Sequence, residues 1–385
     1  MTAVGRRLRV VHVVYSFGIG GLENVIVQLI NRLPPDNFDH VVVSLTTVSD
    51  FKNRVNRRDV QFIELNKSPG HAFSLYPRIW KLFRELRADV VHTCNLAALE
   101  VVPLAWVAGV PLRIHAEHGW DAHDPNGRNI RYQRLRRLYR PFVSHYVAVS
   151  QDLYTYLSQA IQVSLKRRSL IPNGVDTEHF QPPVGARSSV SGCPFDPSAH
   201  LMIGTVGRLQ TVKNQPLLAR AFVRMLSDHP ELSHSARLVI VGEGPLRAEI
   251  EAVLSEANLS HLAWLPGARE DVADVLRMLS LFVLPSQTEG TSCTLQEAMA
   301  SGLPVVATAV GGSPALLGND TGRLVPPDDV KKLAAAMHEF LANETKRLSA
   351  GRHARERATQ LFGIDALVRS YQQLFRGLPL QSQSE

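Results

Sequence analysis

Hydrophobic residues along the chain recur at two different spacings. Short runs rich in β-branched residues predict buried strands, and the segments between them repeat apolar residues at helical spacing. One such segment, Leu22–Leu33, directly follows the first predicted strand. This alternation predicts a parallel sheet that is covered by helices on both faces. The predicted strands are Arg9–Val14, His40–Leu45, Val60–Leu65, Asp89–His92, Leu112–Ala116, His145–Val149, Leu201–Val206, Ala236–Val241, Ala263–Pro266, Leu281–Leu284, Val305–Thr308 and Arg323–Val325.

The alternation is interrupted once, at Phe180–Ala199, which contains four prolines and two glycines. Such a composition is typical of a linker. We therefore predict the α/β class, with two doubly wound, Rossmann-like domains at residues 1–178 and 200–360 and a linker at 179–199. Open parallel sheets bind ligands beyond the carboxyl ends of their strands. The expected site is a central cleft that both domains face.

Length and cysteine usage add two expectations. A chain of 385 residues, 45% of them hydrophobic, is long enough for two cores. Its three cysteines are scattered and form no C-x-x-C pair, which predicts neither a disulfide framework nor a zinc site and favours a reducing, cytoplasmic compartment. The longest apolar stretch, Leu96–Leu112, contains Glu100 and two prolines. It is therefore not predicted to span a membrane.

Charge is distributed unevenly between the two halves. Residues 1–190 have a net charge of +9 and the remainder −2, which indicates an anionic partner such as a membrane surface, a phosphate-bearing lipid or a nucleic acid. Within the basic half, Arg128–Phe142 alternates arginines with apolar residues at helical spacing. This pattern fits a solvated helix face over a core stripe, or a face that lies on an anionic membrane.

The most informative segment contains Glu289 and Glu297 and follows the predicted strand Leu281–Leu284. A helix is expected to begin at Thr291 or Ser292, since either hydroxyl can cap it. With Gly290, that helix end would offer backbone N–H groups to a phosphate. Glu289 would lie in the loop and Glu297 about a turn and a half inside the helix, so that each could bind vicinal hydroxyls of a sugar or a ribose. The alternative is a glutamate favoured by the helix dipole and a second one on the surface.

Two other loops follow predicted strands. Arg208 and Lys213 come after Leu201–Val206, where two cations suit a diphosphate, although loop charges are often simply solvated. Gly20 and Gly21 come after the first strand and would allow a ligand to approach the backbone closely. A bare turn explains these glycines equally well, and the G-x-G-x-x-G spacing of a dinucleotide site is missing.

Several histidines lie in or directly after predicted strands. His118 follows a predicted strand and precedes a glycine, a position that fits the cleft. His12 and His92 lie inside strand patterns, which is typical of core residues. The sequence has no H-E-x-x-H, no D-x-D pair and no local His/Cys cluster, so no metal site is predicted.

Together these motifs resemble glycosyltransferase family 4, whose members have the GT-B fold. The resemblance extends over nearly the whole chain and implies a retaining, metal-independent transferase that uses a UDP- or GDP-linked sugar and needs no cofactor. The motifs, in chain order, are Gly20-Gly21-x-Glu23, Asp89–His92, His118, Val147–Ser150, Asn173–Asp176, Gly207-Arg208 with Lys213, Val241–Pro245, Glu289 with Glu297, and Gly322–Pro327.

The resemblance also implies a role for each site residue. Glu289 would bind hydroxyls of the donor sugar and Glu297 those of the ribose. Arg208, Lys213 and the backbone of Gly290–Ser292 would bind the diphosphate. His118 would contact the donor sugar near the reacting centre, and Gly20-Gly21 would lie between donor and acceptor. Cys94 departs from the family, because members often have a histidine at that position.

Partners follow from the same resemblance. The acceptor would be a glycan or a lipid-diphosphate-linked sugar in exopolysaccharide or cell-surface polysaccharide synthesis, at the cytoplasmic membrane face, with peripheral contact through Arg128–Arg140 and no nucleic acid. Residues 361–385 would add a helix, Phe362–Phe375, that packs on the first domain. Two other functions fit the sequence: a nucleotide-sugar epimerase or hydrolase of the same fold, and a basic binding module without enzymatic activity.

Overall fold

The computed structural model describes residues 6–121, Asp124 and residues 127–378. The chain divides into two compact units, one formed by residues 1–173 together with 364–385, and the other by residues 174–363. Each unit contains one parallel β-sheet, so the prediction of two doubly wound α/β domains is confirmed. The sequence predicts a frayed tail at Leu380–Glu385, and this segment lies outside the described residues.

The sheet of the first unit has seven strands in the described residues, in the order β3-β2-β1-β4-β5-β6-β7. Its strands are β1 (Leu8–Val14), β2 (Phe38–Ser44), β3 (Gln61–Glu64), β4 (Val90–Cys94), β5 (Leu112–Glu117), β6 (His145–Ala148) and β7 (Arg168–Leu170). Its helices are α1 (Gly21–Arg32), α2 (Tyr76–Leu86), α3 (Asn95–Leu99), α4 (Val102–Val107), α5 (Ile130–Tyr139), α6 (Gln151–Gln159) and α14 (Ile364–Phe375).

The first sheet has a hydrophobic core on each face, which explains why β1 is apolar except at Arg9 and His12. Val10 and Val14 pack with α1 and α14 on one face, and Val11 and Val13 pack with α2 on the other. Successive side chains of a strand point to opposite faces, so both faces of a doubly covered strand must be apolar. Helix α14 buries six side chains of this core, each contributing about 1.5–3 kcal/mol.

The sheet of the second unit has six strands, in the order β10-β9-β8-β11-β12-β13. Its strands are β8 (Leu201–Val206), β9 (Ala236–Val241), β10 (Ala263–Gly267), β11 (Leu281–Leu284), β12 (Val305–Thr308) and β13 (Gly322–Val325). Its helices are α7 (Gln215–Asp228), α8 (Arg247–Glu256), α9 (Val272–Met278), α10 (Cys293–Ala300), α11 (Ser313–Leu317), α12 (Val330–Ala342) and α13 (Glu344–Leu361).

The predicted strands agree closely with the observed ones, with two differences elsewhere in the chain. The three-residue strand Arg168–Leu170 was missed, because a short run that begins with arginine and serine has no apolar periodicity. The segment predicted as a linker, 179–199, has no helix or strand, but its Val190 and Phe195 are buried in the core of the second unit. Part of that segment is therefore packed structure.

The arginine-rich segment forms α5 and a short 3₁₀ helix at Arg140–Phe142. Arg131, Arg134 and Arg137 are exposed, as a solvated or membrane-facing helix requires. Arg136 is the exception, since it is only 5% exposed. None of the helices in the described part of the chain combines the length and the hydrophobicity that are needed to cross a bilayer.

Candidate functional site

The second sheet has its topological switch point between β8 and β11. From β8 the chain adds β9 on one side and later returns to add β11 on the other, so the loops that follow these two strands diverge and leave room for a ligand. Lys213 lies in the loop after β8, and Glu289 lies in the loop after β11. The fold thus brings together two residues that are 76 positions apart in the sequence.

Lys213 and Glu289 form an ion pair at this switch point. The Nζ of Lys213 donates to Oε1 of Glu289 at 2.7 Å, and the Ser286 hydroxyl donates to the same oxygen at 2.6 Å. The Glu289 side chain is 6% exposed and that of Lys213 is 26% exposed. A lysine ammonium has three donors, and the pair directs one of them to the carboxylate.

Helix α10 begins beside this pair. Ser292 is its N-cap, and its hydroxyl accepts from the backbone N–H of Leu295 at 3.3 Å, which confirms a helix start at one of the two predicted hydroxyls. Thr291 and Ser292 are both buried. The first N–H groups of a helix have no partner inside the helix and carry a partial positive charge, so this end of α10 favours an anion.

The loop after β11 is packed tightly against the loop after β12. A Cβ added at Gly311 would lie 1.9 Å from the carbonyl oxygen of Glu289, and one added at Gly312 would lie 2.5 Å from that of Gly290. Gly312 also donates its N–H to the Gly290 carbonyl at 2.8 Å. Only glycine permits this approach, which fixes the backbone that carries Glu289.

Arg208 and Glu297 flank the same strand ends. Arg208 is exposed in the loop after β8, and its carbonyl accepts from the side chain of Gln215 at 2.9 Å. Glu297 is the fifth residue of α10 and is partly exposed, so it lies inside the helix as expected. Their assignment to a diphosphate and to a ribose stays a prediction.

The first sheet has its own switch point between β1 and β4. Gly20 precedes α1 with an extended backbone, and Gly21 is the first residue of that helix. A Cβ on Gly20 would lie 2.1 Å from a carboxylate oxygen of Glu23. The missing side chain at Gly20 therefore leaves room for that carboxylate beside the start of α1. The role of Gly20 and Gly21 toward donor and acceptor stays a prediction.

His118 directly follows β5. Its backbone N–H donates to the side chain of Asn95 at 2.8 Å, and its two ring nitrogens are buried although the residue as a whole is partly exposed. Burial lowers the pKa of His118 to about 4, although Glu117 and a contact with Asn173 act in the opposite direction. The imidazole is therefore neutral at neutral pH, and it can give or accept a hydrogen bond without adding charge.

Sequence reasoning missed the ion pair beneath His118. Glu117 is fully buried and accepts from Nε and Nη2 of Arg136 at 2.6 and 3.1 Å. Burial alone would raise the pKa of Glu117, but Arg136 and His115 lower it well below its usual range. The prediction that the arginines of this helix share one solvated face is thus wrong for Arg136. No local signal reveals this pair, because its members are 19 positions apart.

Buried histidines form a connected row on the α14 face of the first sheet. His12 lies 3.0 Å from His40 and 3.1 Å from His92, measured between ring nitrogens, and Nε2 of His92 lies 3.7 Å from Sγ of Cys94. The prediction that His12 and His92 are core residues is confirmed, since both are 0% exposed.

The row ends in a group that sequence spacing did not indicate. Ligand atoms of His92, Cys94 and His118 all lie within 4.8 Å of one another. β4 and the end of β5 bring these residues together across the sheet, a proximity that the spacing of His118 in the sequence does not reveal. A second such group, His229, Glu231 and His338, lies in the second unit and is partly exposed.

Comparison with known proteins identifies the families to which the two units are similar. The Glycosyltransferase Family 4 model matches residues 19–179, and the model described as Glycosyl transferases group 1 matches residues 200–343. The chain is 25% identical to the Escherichia coli UDP-Gal:alpha-D-GlcNAc-diphosphoundecaprenol alpha-1,3-galactosyltransferase, over 88% of this chain and 89% of that relative.

Two other proteins extend the comparison. The chain is 28% identical to the lipopolysaccharide core biosynthesis mannosyltransferase LpsB of Rhizobium meliloti, over 54% of this chain and 61% of LpsB. The crystal structure of Anabaena HepE in complex with UDP-glucose matches with a TM-score of 0.82 at 20% identity, covering 97% of this chain and 100% of that one. At this level of identity the match shows a shared fold.

Proposed function

Because the chain belongs to glycosyltransferase family 4, we propose that it transfers a sugar from a nucleoside diphosphate to a glycan or lipid-linked acceptor, with retention of configuration and without a metal ion. The observation that supports this most directly is the convergence of Lys213, Glu289 and the start of α10 at one switch point. A cation and a helix N-terminus there suit a diphosphate, and a carboxylate beside them suits sugar hydroxyls.

The donor is best matched by a UDP-sugar. The Escherichia coli relative uses UDP-Gal, and the Anabaena structure contains UDP-glucose. We assign the diphosphate to Lys213, Arg208 and the backbone of Gly290–Ser292. Since Oε1 of Glu289 already accepts from two donors, its Oε2 is the oxygen that we assign to the sugar. Glu297 is assigned to the ribose hydroxyls.

The chemical step breaks the bond between the anomeric carbon and the diphosphate oxygen. The acceptor hydroxyl attacks the same face of the sugar, and its proton passes to the departing phosphate. Negative charge builds on the leaving diphosphate, where Lys213, Arg208 and the α10 N–H groups stabilise it more strongly than in the ground state. This supply of positive charge supports a reaction that needs no metal. His118, being neutral, is assigned a hydrogen bond to a sugar hydroxyl.

A panel of nucleotide sugars incubated with and without a diphospholipid-linked acceptor sugar tests the proposal. We expect acceptor-dependent release of UDP, unchanged by EDTA, and a product whose anomeric configuration by NMR equals that of the donor. Donor consumption without any acceptor would instead indicate an epimerase or a hydrolase. An inverted product, or a sugar trapped covalently on a carboxylate, would overturn the proposed mechanism.

We assign the basic helix α5 to peripheral contact with an anionic membrane, where a lipid-linked acceptor would be found. Arg131 and Arg134 are exposed beside the exposed apolar residues Ile130 and Leu138, a combination that suits a lipid surface. Each arginine near such a surface contributes about 1 kcal/mol. The variant Arg131→Gln/Arg134→Gln should therefore bind phosphatidylglycerol vesicles roughly 30-fold more weakly. Equal binding of parent and variant in a sedimentation assay would refute this contact.

A further inference from the structure

The group formed by His92, Cys94 and His118 has the composition of a transition-metal site. Two imidazoles and one thiol are ligands that Zn²⁺ prefers in proteins. His92 and Cys94 are 0% and 1% exposed, and the ring nitrogens of His118 are buried. The ligand atoms of all three side chains lie within 4.8 Å of one another, so a single metal ion could contact all of them.

Strand register explains why the three side chains converge. His92 and Cys94 are two positions apart in β4 and so point to the same face of the sheet. Cys94 is paired with Ala116 in the neighbouring parallel strand β5, and His118 lies two positions after Ala116, directly beyond the end of β5. The side chains therefore meet at the carboxyl edge of two adjacent strands.

The separation of two of the three ligand atoms fits a tetrahedral cation. With a Zn–S bond of about 2.3 Å and a Zn–N bond of about 2.0–2.1 Å, sulfur and nitrogen ligands are separated by roughly 3.6 Å. Sγ of Cys94 and Nε2 of His92 are 3.7 Å apart. The pair thus needs almost no movement to share a metal ion.

The second nitrogen of His92 is also arranged as in metal sites. A metal-binding histidine usually directs its other ring nitrogen to a hydrogen-bond partner, which fixes the orientation and the tautomer of the ring. Nδ1 of His92 lies 3.1 Å from His12, whose other nitrogen lies 3.0 Å from His40. This row of imidazoles holds Nε2 of His92 toward the thiol.

We propose that His92, Cys94 and His118 form a reversible binding site for Zn²⁺ in the first unit. On binding, the thiol proton of Cys94 is released to solvent, and zinc forms one bond to sulfur and two to nitrogen. Three protein ligands leave a fourth position for water.

Zinc at this site inhibits sugar transfer. This inhibition rests on the proposed function, whereas the binding of zinc does not depend on it. A His118 nitrogen that binds zinc is withdrawn from the sugar hydroxyl. One thiolate neutralises only half of the charge of the dication, so a net positive charge remains. That charge opposes the positive charge that develops on a sugar during glycosyl transfer.

Cobalt(II) is the probe for the site itself, because a thiolate-bound cobalt ion gives a charge-transfer absorption band. The parent protein for this test is the full chain with His338→Ala, which removes a ligand from the exposed group in the second unit. We expect one cobalt per chain and a thiolate band. The band should be lost in Cys94→Ser, and cobalt should bind at least tenfold more weakly in His118→Ala.

Cys193→Ser is the matched control, since Cys193 is a partly exposed thiol in the second unit, and the variant should leave the band unchanged. Circular dichroism and UDP-induced thermal stabilisation of each variant show that it is folded. A parent without a thiolate band, or a band that persists in Cys94→Ser, would overturn the site.

Inhibition is measured separately, with each variant compared to its own rate in the absence of zinc. We expect EDTA to restore the rate of the parent, and Cys94→Ser to require at least tenfold more zinc for half-inhibition. Equal sensitivity of parent and Cys94→Ser would refute the inhibitory role. A parent that binds cobalt but transfers no sugar would refute the proposed function and leave the metal site standing.

Discussion

Replacing Lys213 by methionine tests the diphosphate assignment, because it removes the ammonium and keeps most of the side-chain volume. The structure predicts two separable effects. One is a loss of affinity for UDP, and the other is a loss of stability, since Oε1 of Glu289 would retain only the hydroxyl of Ser286.

Both effects have an expected size. A hydrogen bond to a charged group contributes about 1.5–3 kcal/mol, so the dissociation constant of UDP should rise about tenfold to 150-fold. A buried acceptor that loses a partner costs about 1–3 kcal/mol. We expect the loss of unfolding free energy in Lys213→Met to lie in the lower half of that range, because 26% of the Lys213 side chain is exposed to solvent.

Isothermal titration with UDP and urea unfolding measure the two quantities. Arg220→Met is the matched control: it removes a cation from α7 whose partner Glu249 is 46% exposed, a pair that contributes at most about 1 kcal/mol. The control should retain the UDP affinity of the parent.

The double variant Lys213→Met/Glu289→Gln separates a phosphate contact from a structural role. It should regain stability relative to Lys213→Met, because no buried carboxylate is left with a single partner, but it should not regain affinity for UDP. The reasoning is refuted if Lys213→Met binds UDP within twofold of the parent, or if the double variant recovers affinity together with stability.

Three other predictions concern single contacts. Arg136→Met should lower the free energy of unfolding in urea by about 3–5 kcal/mol, because it leaves the buried Glu117 carboxylate without its ion-pair partner. Adding Glu117→Gln should recover part of this loss, and no recovery would refute the ion-pair account. Gly311→Ala should abolish UDP-induced thermal stabilisation, because its Cβ would overlap a backbone carbonyl at 1.9 Å; Gly185→Ala, also at positive φ but with nothing within 4 Å, should retain it. Burial and Arg167 lower the pKa of His145. The contribution of this histidine to stability is therefore present above the ordinary histidine pKa of about 6.5 and is lost as the pH falls below it. His145→Gln should reduce the loss of unfolding free energy between pH 7 and pH 5.

The spacing of hydrophobic residues in the sequence is enough to predict most of the helices and strands of this protein. A strand buried on both faces needs a mostly apolar run, as in Leu8–Val14, and a helix over a sheet needs an apolar stripe, as in Gly21–Arg32. These requirements are local, so a single sequence contains them. Arg168–Leu170 was missed because three residues are too few to show a period.

The candidate residues were also found locally, because ligand-binding loops follow strands directly. Lys213, Glu289 and His118 each stand a few residues after an apolar run. Their positions at the carboxyl ends of strands follow from that order, since all strands of a parallel sheet end at the same edge.

Only the tertiary structure decided which of these residues meet. Lys213 meets Glu289 because β8 and β11 are neighbours, and Cys94 meets His118 because β4 and β5 are neighbours. Arg136 of α5 meets Glu117 of β5 across 19 positions of the chain. Strand order and register depend on long-range packing of whole helices and sheets, which no short window of sequence encodes. Apolar spacing therefore fixed the elements and placed the loops, whereas the pairing of charges and ligands was fixed by contacts between residues far apart in the chain.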